Sequence, residues 1–222
     1  MITSLALALL VHGAAPAIVA RAPSPESTFD RAVAAYRKIR TARATFTQIL
    51  TNPLTGDTTV SHGEVQQQPP GRFAVHFTDP AGDVIVADGK WLWVYLPSTN
   101  PDQVIKSPVA ANSAGTPDFT AMFLEQPKSR YHISDAGTAT VGGHRTHAIT
   151  LVPTDDSLPF SKATIWVDDD DGIVRRFETT DANGVMRRVT VDSIRTNVRV
   201  DPEAFVFHPP RGARIFEQGG SS

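Results

Sequence analysis

Histidines and carboxylates are the residues best suited to metal binding or acid–base chemistry, and their spacing favours neither. His144 and His147 are the closest pair among the 7 histidines, but residues three apart on a strand point to opposite faces of the sheet. The acidic run 168–171 lacks the spaced oxygens and terminal Glu of an EF-hand calcium loop. We therefore predict that this run is the solvated tip of a hairpin, and we expect no metal ion.

Three carboxylates, Glu64, Asp83 and Asp88, are the remaining candidates for acid–base catalysis, but nothing in the sequence brings them together. The chain has no G-x-S-x-G or H-E-x-x-H motif, no phosphate-binding loop and no dinucleotide fingerprint. Cysteine is absent, which excludes disulfides, thiolate metal ligands and a cysteine nucleophile. We therefore expect a protein that is not an enzyme and that holds no cofactor.

The other candidate functional residues are apolar. Each one alone fits an ordinary hydrophobic core, whereas the set as a whole fits the lining of a lipid-binding cavity. A methionine between aromatic residues suits a surface that must repack around flexible chains. The predicted cavity residues are Phe46, Phe73, Val75, Phe77, Trp91, Trp93, Phe119, Met122 and Phe123.

Two turn sequences divide the segment 71–97 into three apolar runs, and each turn contains a Gly that tolerates positive φ. In the first run Phe73, Val75 and Phe77 recur at every second position, which is the period of a half-buried strand. The third run, 91–96, is apolar on both faces. Such a strand must be covered on both faces, or be covered on one face and meet an apolar ligand on the other.

The whole chain predicts a mainly β fold of about eleven antiparallel strands with two short α-helices. The first helix has Ser27 or Thr28 as its cap, and the second lies between Thr116 and Pro127. A sheet of this size is about 45 Å wide, whereas a helix of about 12 residues is only about 18 Å long. Because large sheets curl, two structures remain open: a closed barrel packed with side chains, or a partly open barrel with an apolar hollow.

The termini predict an exported protein. Residues 1–20 contain a short apolar core followed by small residues, which is typical of a secretory signal peptide and too short to span a bilayer. We expect a linker at 21–28, one domain at 29–216 and a flexible tail at 217–222. The net charge of -2 offers no basic surface for nucleic acid.

Several short motifs, in this order, resemble the LolA family of periplasmic lipoprotein carriers. They are G-E at 63–64, P-G-R-F at 70–73, D-G-K at 88–90 with Trp93 and Tyr95, and F-x-F-x-P-P-x-G at 205–212. The resemblance implies an incomplete β-barrel lidded by helices, in the periplasm of a Gram-negative bacterium. It also implies a monomeric carrier that binds the acyl chains of lipoproteins and moves them from the inner to the outer membrane. The implied partners are an ATP-driven exporter complex in the inner membrane and an acceptor lipoprotein in the outer membrane.

The sequence departs from the family pattern at one place. Family members commonly have a basic residue before the Pro that follows the Gly-Glu strand, whereas this chain has Gln68 and Pro69, and its nearest cation is Arg72. We therefore assign Gln68 and Arg72 as polar residues of the cavity mouth. The departure leaves open a paralogue that carries another lipid or an apolar metabolite. An envelope lipoprotein sensor module and a periplasmic hydrolase are the rivals from other classes.

Overall fold

The computed structural model describes residues 23–109, 119–126 and 128–218, and it places a 12-stranded sheet and two α-helices in them. The helices are α1 Pro25–Tyr36 and α2 Phe119–Leu124. The strands are β1 Ala42–Thr51, β2 Thr58–Gln68, β3 Arg72–Asp79, β4 Ala81–Asp88, β5 Trp91–Tyr95, β6 Gln103–Pro108, β7 Tyr131–Val141, β8 His144–Pro153, β9 Lys162–Asp168, β10 Val174–Thr180, β11 Met186–Thr196 and β12 Arg214–Glu217. The predicted signal peptide, 1–20, lies outside the described residues.

Local hairpins build most of the sheet. Its order is β12-β6-β5-β4-β3-β2-β1-β11-β10-β9-β8-β7, so two meanders of consecutive strands are joined where β1 pairs with β11. The strands β7 and β12 stand at opposite ends of this order, and the curved sheet therefore does not close. This confirms the prediction of a mainly β, incomplete barrel and decides between the two structures that the sequence left open.

The last strand differs from the prediction of an all-antiparallel sheet. Strand β12 pairs with β6 in parallel, from Arg214 opposite Gln103 to Glu217 opposite Lys106. The predicted helical turn before the closing strand is present as a 3₁₀ turn at Pro202–Phe205. The chain after β11 crosses one face of the sheet, where Phe205 is buried. Strand β12 then runs alongside β6 in the same direction as β6.

The first helix begins earlier than the sequence predicts. Ser24 is the cap, and its hydroxyl oxygen accepts a hydrogen bond of 3.2 Å from the backbone N–H of Ser27. Pro25 follows it, and Pro suits the first helical position because its fixed φ is already helical and it has no N–H to satisfy. The prediction of Ser27 or Thr28 as the cap is therefore wrong, and residues 25–28 belong to α1 and not to the linker.

The two helices lie on one face of the sheet, here called the inner face, and the opposite face is called the outer face. Phe29, Ala32 and Tyr36 of α1 are buried in a large apolar cluster on the inner face, as their helical spacing predicts. Close neighbours of α1 are β7, β8, β9 and α2. Neither described helix is long and apolar enough to cross a membrane.

Candidate functional site

Strand β3 contributes three residues to the inner-face apolar cluster. Phe73 and Val75 are buried in it and lie opposite Ala87 and Ile85 of β4. Phe77 is half-buried, and its ring meets the ring of Phe46 edge-on, with 5.7 Å between centroids. Alternation along β3 therefore places Phe73, Val75 and Phe77 on one face, as predicted.

Helix α2 inserts one aromatic side chain into the same cluster. Phe123 is fully buried, with its ring centroid 5.3 Å from that of Phe160 and 5.5 Å from that of Phe177. Met122 is half-buried against the cluster. Phe119 begins α2, and its side chain lies outside the described residues. The structure thus brings Met122 and Phe123 together with the residues predicted on β1 and β3.

Two tyrosine hydroxyls make polar contacts with α2 and the residue that follows it. The hydroxyl of Tyr131 lies 3.4 Å from the backbone carbonyl oxygens of Met122 and Phe123, to which it donates. Burial raises the pKa of Tyr131 to about 12, against the opposing charge of Arg130, so the phenol stays protonated and remains a donor. The Tyr36 hydroxyl of α1 donates a further hydrogen bond of 3.3 Å to Glu125.

Trp91 and Trp93 lie on the outer face, which corrects their predicted place in the cavity. Trp93 is opposite Val86, a residue buried in a separate outer-face cluster, and its ring centroid is 5.7 Å from that of Phe207. The ammonium of Lys106 lies 4.1 Å from the centroid of Trp91. Strand β5 is apolar on both faces because the C-terminal segment covers the outer one.

Gln68 and Arg72 also lie on the outer face. They are paired across β2 and β3, and two residues further along these strands Gln66 pairs with Ala74, which is buried in the outer-face cluster. Because side chains two apart on a strand share a face, both residues lie on the face opposite the helices. This position gives no support to their predicted role at a cavity mouth.

Two of the three candidate carboxylates have structural roles as hydrogen-bond acceptors. Asp83 accepts hydrogen bonds from the hydroxyl and the backbone N–H of Ser98, at 2.6 and 3.0 Å. Asp88 accepts from the backbone N–H groups of the turn that follows it and from the indole of Trp93. Burial acts to raise the pKa of Asp88, but these donors outweigh it and hold the pKa below its usual value. Glu64 is placed opposite His76 on β3.

The acidic run is only partly solvated. Asp168 is fully buried, accepting a hydrogen bond of 2.8 Å from Arg175 and lying 2.8 Å from His144, so the prediction of a solvated tip is wrong for this residue. His147 instead lies 2.7 Å from Asp135. The two histidines thus have different partners, and the described residues contain no group of three or more potential ligands that could hold a metal ion.

Half-buried apolar residues continue the inner-face cluster beyond the strands on which α1 packs. Val65, Phe77, Ile85 and Leu92, on β2 to β5, contact the buried cluster and are themselves partly exposed. We call these four residues the apolar surface. It can bury an alkyl chain, and hydrophobic contact of this kind needs no directed polar group.

Sequence reasoning missed the polar residues of the inner face. Gln48 lies two residues after Phe46 on β1, and Arg187 lies two residues before the buried Val189 on β11. The alternation along each strand was the signal for both, since side chains two apart share a face.

An open half-barrel with an apolar inner face and a helical lid is the class of protein that this fold and site define. Residues 37–208 match the family described as outer membrane lipoprotein carrier protein LolA, and the chain belongs to this family. The outer-membrane lipoprotein carrier protein of Methylococcus capsulatus is 28% identical over 178 residues, covering 80% of this chain and 82% of that protein. The protein of the same description from Halorhodospira halophila is 28% identical over 199 residues, covering 82% of each.

A solved structure supports the fold independently. An uncharacterized conserved protein from Thermus thermophilus has a TM-score of 0.54 at 16% identity, with 87% of this chain and 98% of that chain covered. At this identity the likeness concerns the fold alone.

Proposed function

We propose that the protein binds the acyl chains of lipoproteins and carries them through the periplasm from the inner to the outer membrane. The observation that carries this proposal is the apolar surface, which is partly exposed and continuous with the buried cluster under the helices. The printed name of the relatives, outer-membrane lipoprotein carrier protein, supports the choice of cargo.

The energy of burial explains why such a carrier is needed. Each buried methylene contributes roughly 0.8 kcal/mol, so a chain of about 16 carbons contributes on the order of 12 kcal/mol. A chain with this preference for an apolar environment does not cross water unaided at a useful rate. Release then requires the empty inner face to bury its own apolar side chains, and Phe123 and Met122 of α2 are placed to do so.

The proposed partners follow from this route. An exporter complex in the inner membrane loads the carrier, and an acceptor lipoprotein in the outer membrane receives the cargo. A second candidate cargo is another lipid or an apolar metabolite, because Gln68 and Pro69 stand where the resemblance leads us to expect a basic residue. Native mass spectrometry of protein purified from its host distinguishes them, since a co-purifying acylated lipoprotein supports the first and a free lipid the second.

A charge on the apolar surface tests the proposed site. We expect Phe77→Glu to weaken the binding of a fluorescent fatty acid by at least about tenfold, because burying a carboxylate against an alkyl chain is costly. Thr78→Glu is the matched control, since it places the same charge on the next, exposed residue of β3. Binding is measured by fluorescence titration, and circular dichroism checks the fold. Equal affinity of Phe77→Glu and Thr78→Glu would remove this surface from the site.

A further inference from the structure

The inner face carries a polar region where β10, β11, β1 and β2 run side by side. Phe177 of β10 is opposite Val189 of β11, and both are buried in the inner-face cluster. Two residues along each strand, Thr179 is opposite Arg187, and Arg187 is in turn opposite Leu50 of β1. Arg187 therefore lies on the inner face, in line with the residues that form the cluster.

Further polar side chains adjoin this arginine. Gln48 of β1 is opposite Val189 on one side and Ser61 of β2 on the other, and Ser61 is buried. Thr59 of β2 is opposite Leu50. We call the residues that share this region of the inner face the polar patch; they are Gln48, Thr59, Ser61, Thr179 and Arg187.

The surroundings of Arg187 favour an oxygen ligand. Burial lowers the pKa of Arg187 from its usual value, and the negative charge of Asp181 opposes this shift, so the guanidinium remains charged in a partly apolar environment. Asp181 is held in the turn that precedes β11, where its carboxylate accepts from the backbone N–H groups of Asn183 and Val185. A guanidinium offers five donors in a fixed plane, which match the two oxygens of a carboxylate or the carbonyl oxygen of an ester.

We propose that the polar patch binds the oxygen-bearing end of the acyl cargo, a carboxylate or an ester carbonyl, while the alkyl chain lies along the apolar surface. This inference rests on the proposed carrier function. In the sheet β11 is three strands from β3, which is about 14 Å at the usual strand spacing, and Arg187 lies four residues along β11 from Val191, which is level with Phe77, so the two residues are about 19 Å apart across the sheet. A long acyl chain can span this distance, so one molecule can contact Arg187 with its head and Phe77 with its chain.

A pair of adjacent arginines allows a matched test. Arg188 follows Arg187 on β11 but points to the outer face, where it lies 2.7 Å from Glu178. We expect Arg187→Met to weaken the binding of a pyrene-labelled fatty acid by about tenfold or more, since a charge-assisted hydrogen bond is lost. Binding of a pyrene-labelled alkane of equal length should be unchanged, and Arg188→Met should bind both probes as the wild type does. Fatty-acid affinity in Arg187→Met equal to that of the wild type would overturn the inference.

Two further arms identify the ligand group and guard against misfolding. The methyl ester of the same fatty acid identifies the ligand group. If Arg187→Met binds both the ester and the acid more weakly than the wild type does, the ligand is the carbonyl oxygen; if only the acid binds more weakly, the ligand is the negative charge. Either result supports the proposal. Gln48→Leu provides a second variant of the polar patch, and it should also weaken the binding of the fatty acid relative to the binding of the alkane. If Arg187→Met does not fold, Gln48→Leu decides the question. A ratio of fatty-acid affinity to alkane affinity that is the same in Gln48→Leu as in the wild type then overturns the inference. Failure of the wild type to bind either probe would instead refute the proposed carrier function.

Discussion

Asp168 stabilises the β9–β10 connection from a fully buried position. Burial acts to raise the pKa of its carboxyl, but the backbone N–H of Asp170, the guanidinium of Arg175 and the charge of His144 outweigh it and hold the pKa below its usual value. Since the pKa is lower in the folded than in the unfolded chain, the unfolded chain binds more protons in acid. The stability that this group contributes is therefore present above the usual Asp pKa of about 4 and is lost as the pH falls through the folded value.

A neutral substitution of this carboxylate tests the pH dependence. We expect Asp168→Asn to lower the free energy of unfolding by about 2 kcal/mol at pH 7, because the buried Arg175 loses the charge of Asp168 and keeps the more exposed Asp171 as its partner. The difference from the wild type should begin to shrink below about pH 4, where the unfolded chain takes up a proton at this carboxyl, and should disappear once the pH falls below the lower pKa of the folded state. Urea unfolding at several pH values measures both effects. Asp170→Asn is the control, because this neighbour is exposed, and an equal loss in both variants would contradict the burial argument.

Single residues also show what alternation can and cannot predict. The inner-face position of Phe73, Val75 and Phe77 follows from their period, because the residues between them are less apolar. Trp91 and Trp93 occupy a strand that is apolar on both faces, so its period does not distinguish inside from outside. Their position on the outer face is decided by a segment far along the chain, which contributes Phe207.

Helix α2 is the element best placed to respond to cargo. Only six residues long, it contacts the inner-face cluster through Phe123 and Met122. Its described polar contacts to neighbouring elements include those of Tyr131 and Tyr36, which are 3.3 to 3.4 Å long. A short helix opens at low free-energy cost.

Hydrogen exchange measures this response. We expect the exchange rates of amides in residues 119–126 to change when a fatty acid is added, because cargo and the side chains of α2 compete for contact with the inner-face cluster. Amides of α1, whose Phe29 and Ala32 are deeply buried over β7 to β9, should change less and serve as the internal comparison. Unchanged exchange in α2 while lipid demonstrably binds would show that the helix is a fixed part of the structure.

At the scale of the whole molecule, local turns determine the hairpins and long-range contacts determine how they assemble. The turns containing Gly172 and Gly184 are predictable because Asp-Gly and Asn-Gly favour two-residue hairpin turns, which need a residue that tolerates positive φ. In the structure the two glycines have φ values of 75° and 81°. The pairing of β1 with β11, which joins the two meanders, has no local signal. The same is true of the parallel pairing of β12 with β6, and this is why the strand was not placed correctly from the sequence.

An open sheet leaves strand edges that must be protected, and β12 protects the edge of β6. Its pairing is reinforced by an ion pair of 2.7 Å between Lys106 and Glu217. We expect deletion of residues 214–222 to cause self-association, because an unpaired strand edge is a template for pairing with another chain. Size-exclusion chromatography with light scattering measures the mass, and circular dichroism confirms that the sheet persists. Deletion of residues 219–222 alone retains β12 and is the control. If the protein lacking residues 214–222 is folded and has the same association state as the protein lacking residues 219–222, the edge of β6 needs no protection by β12.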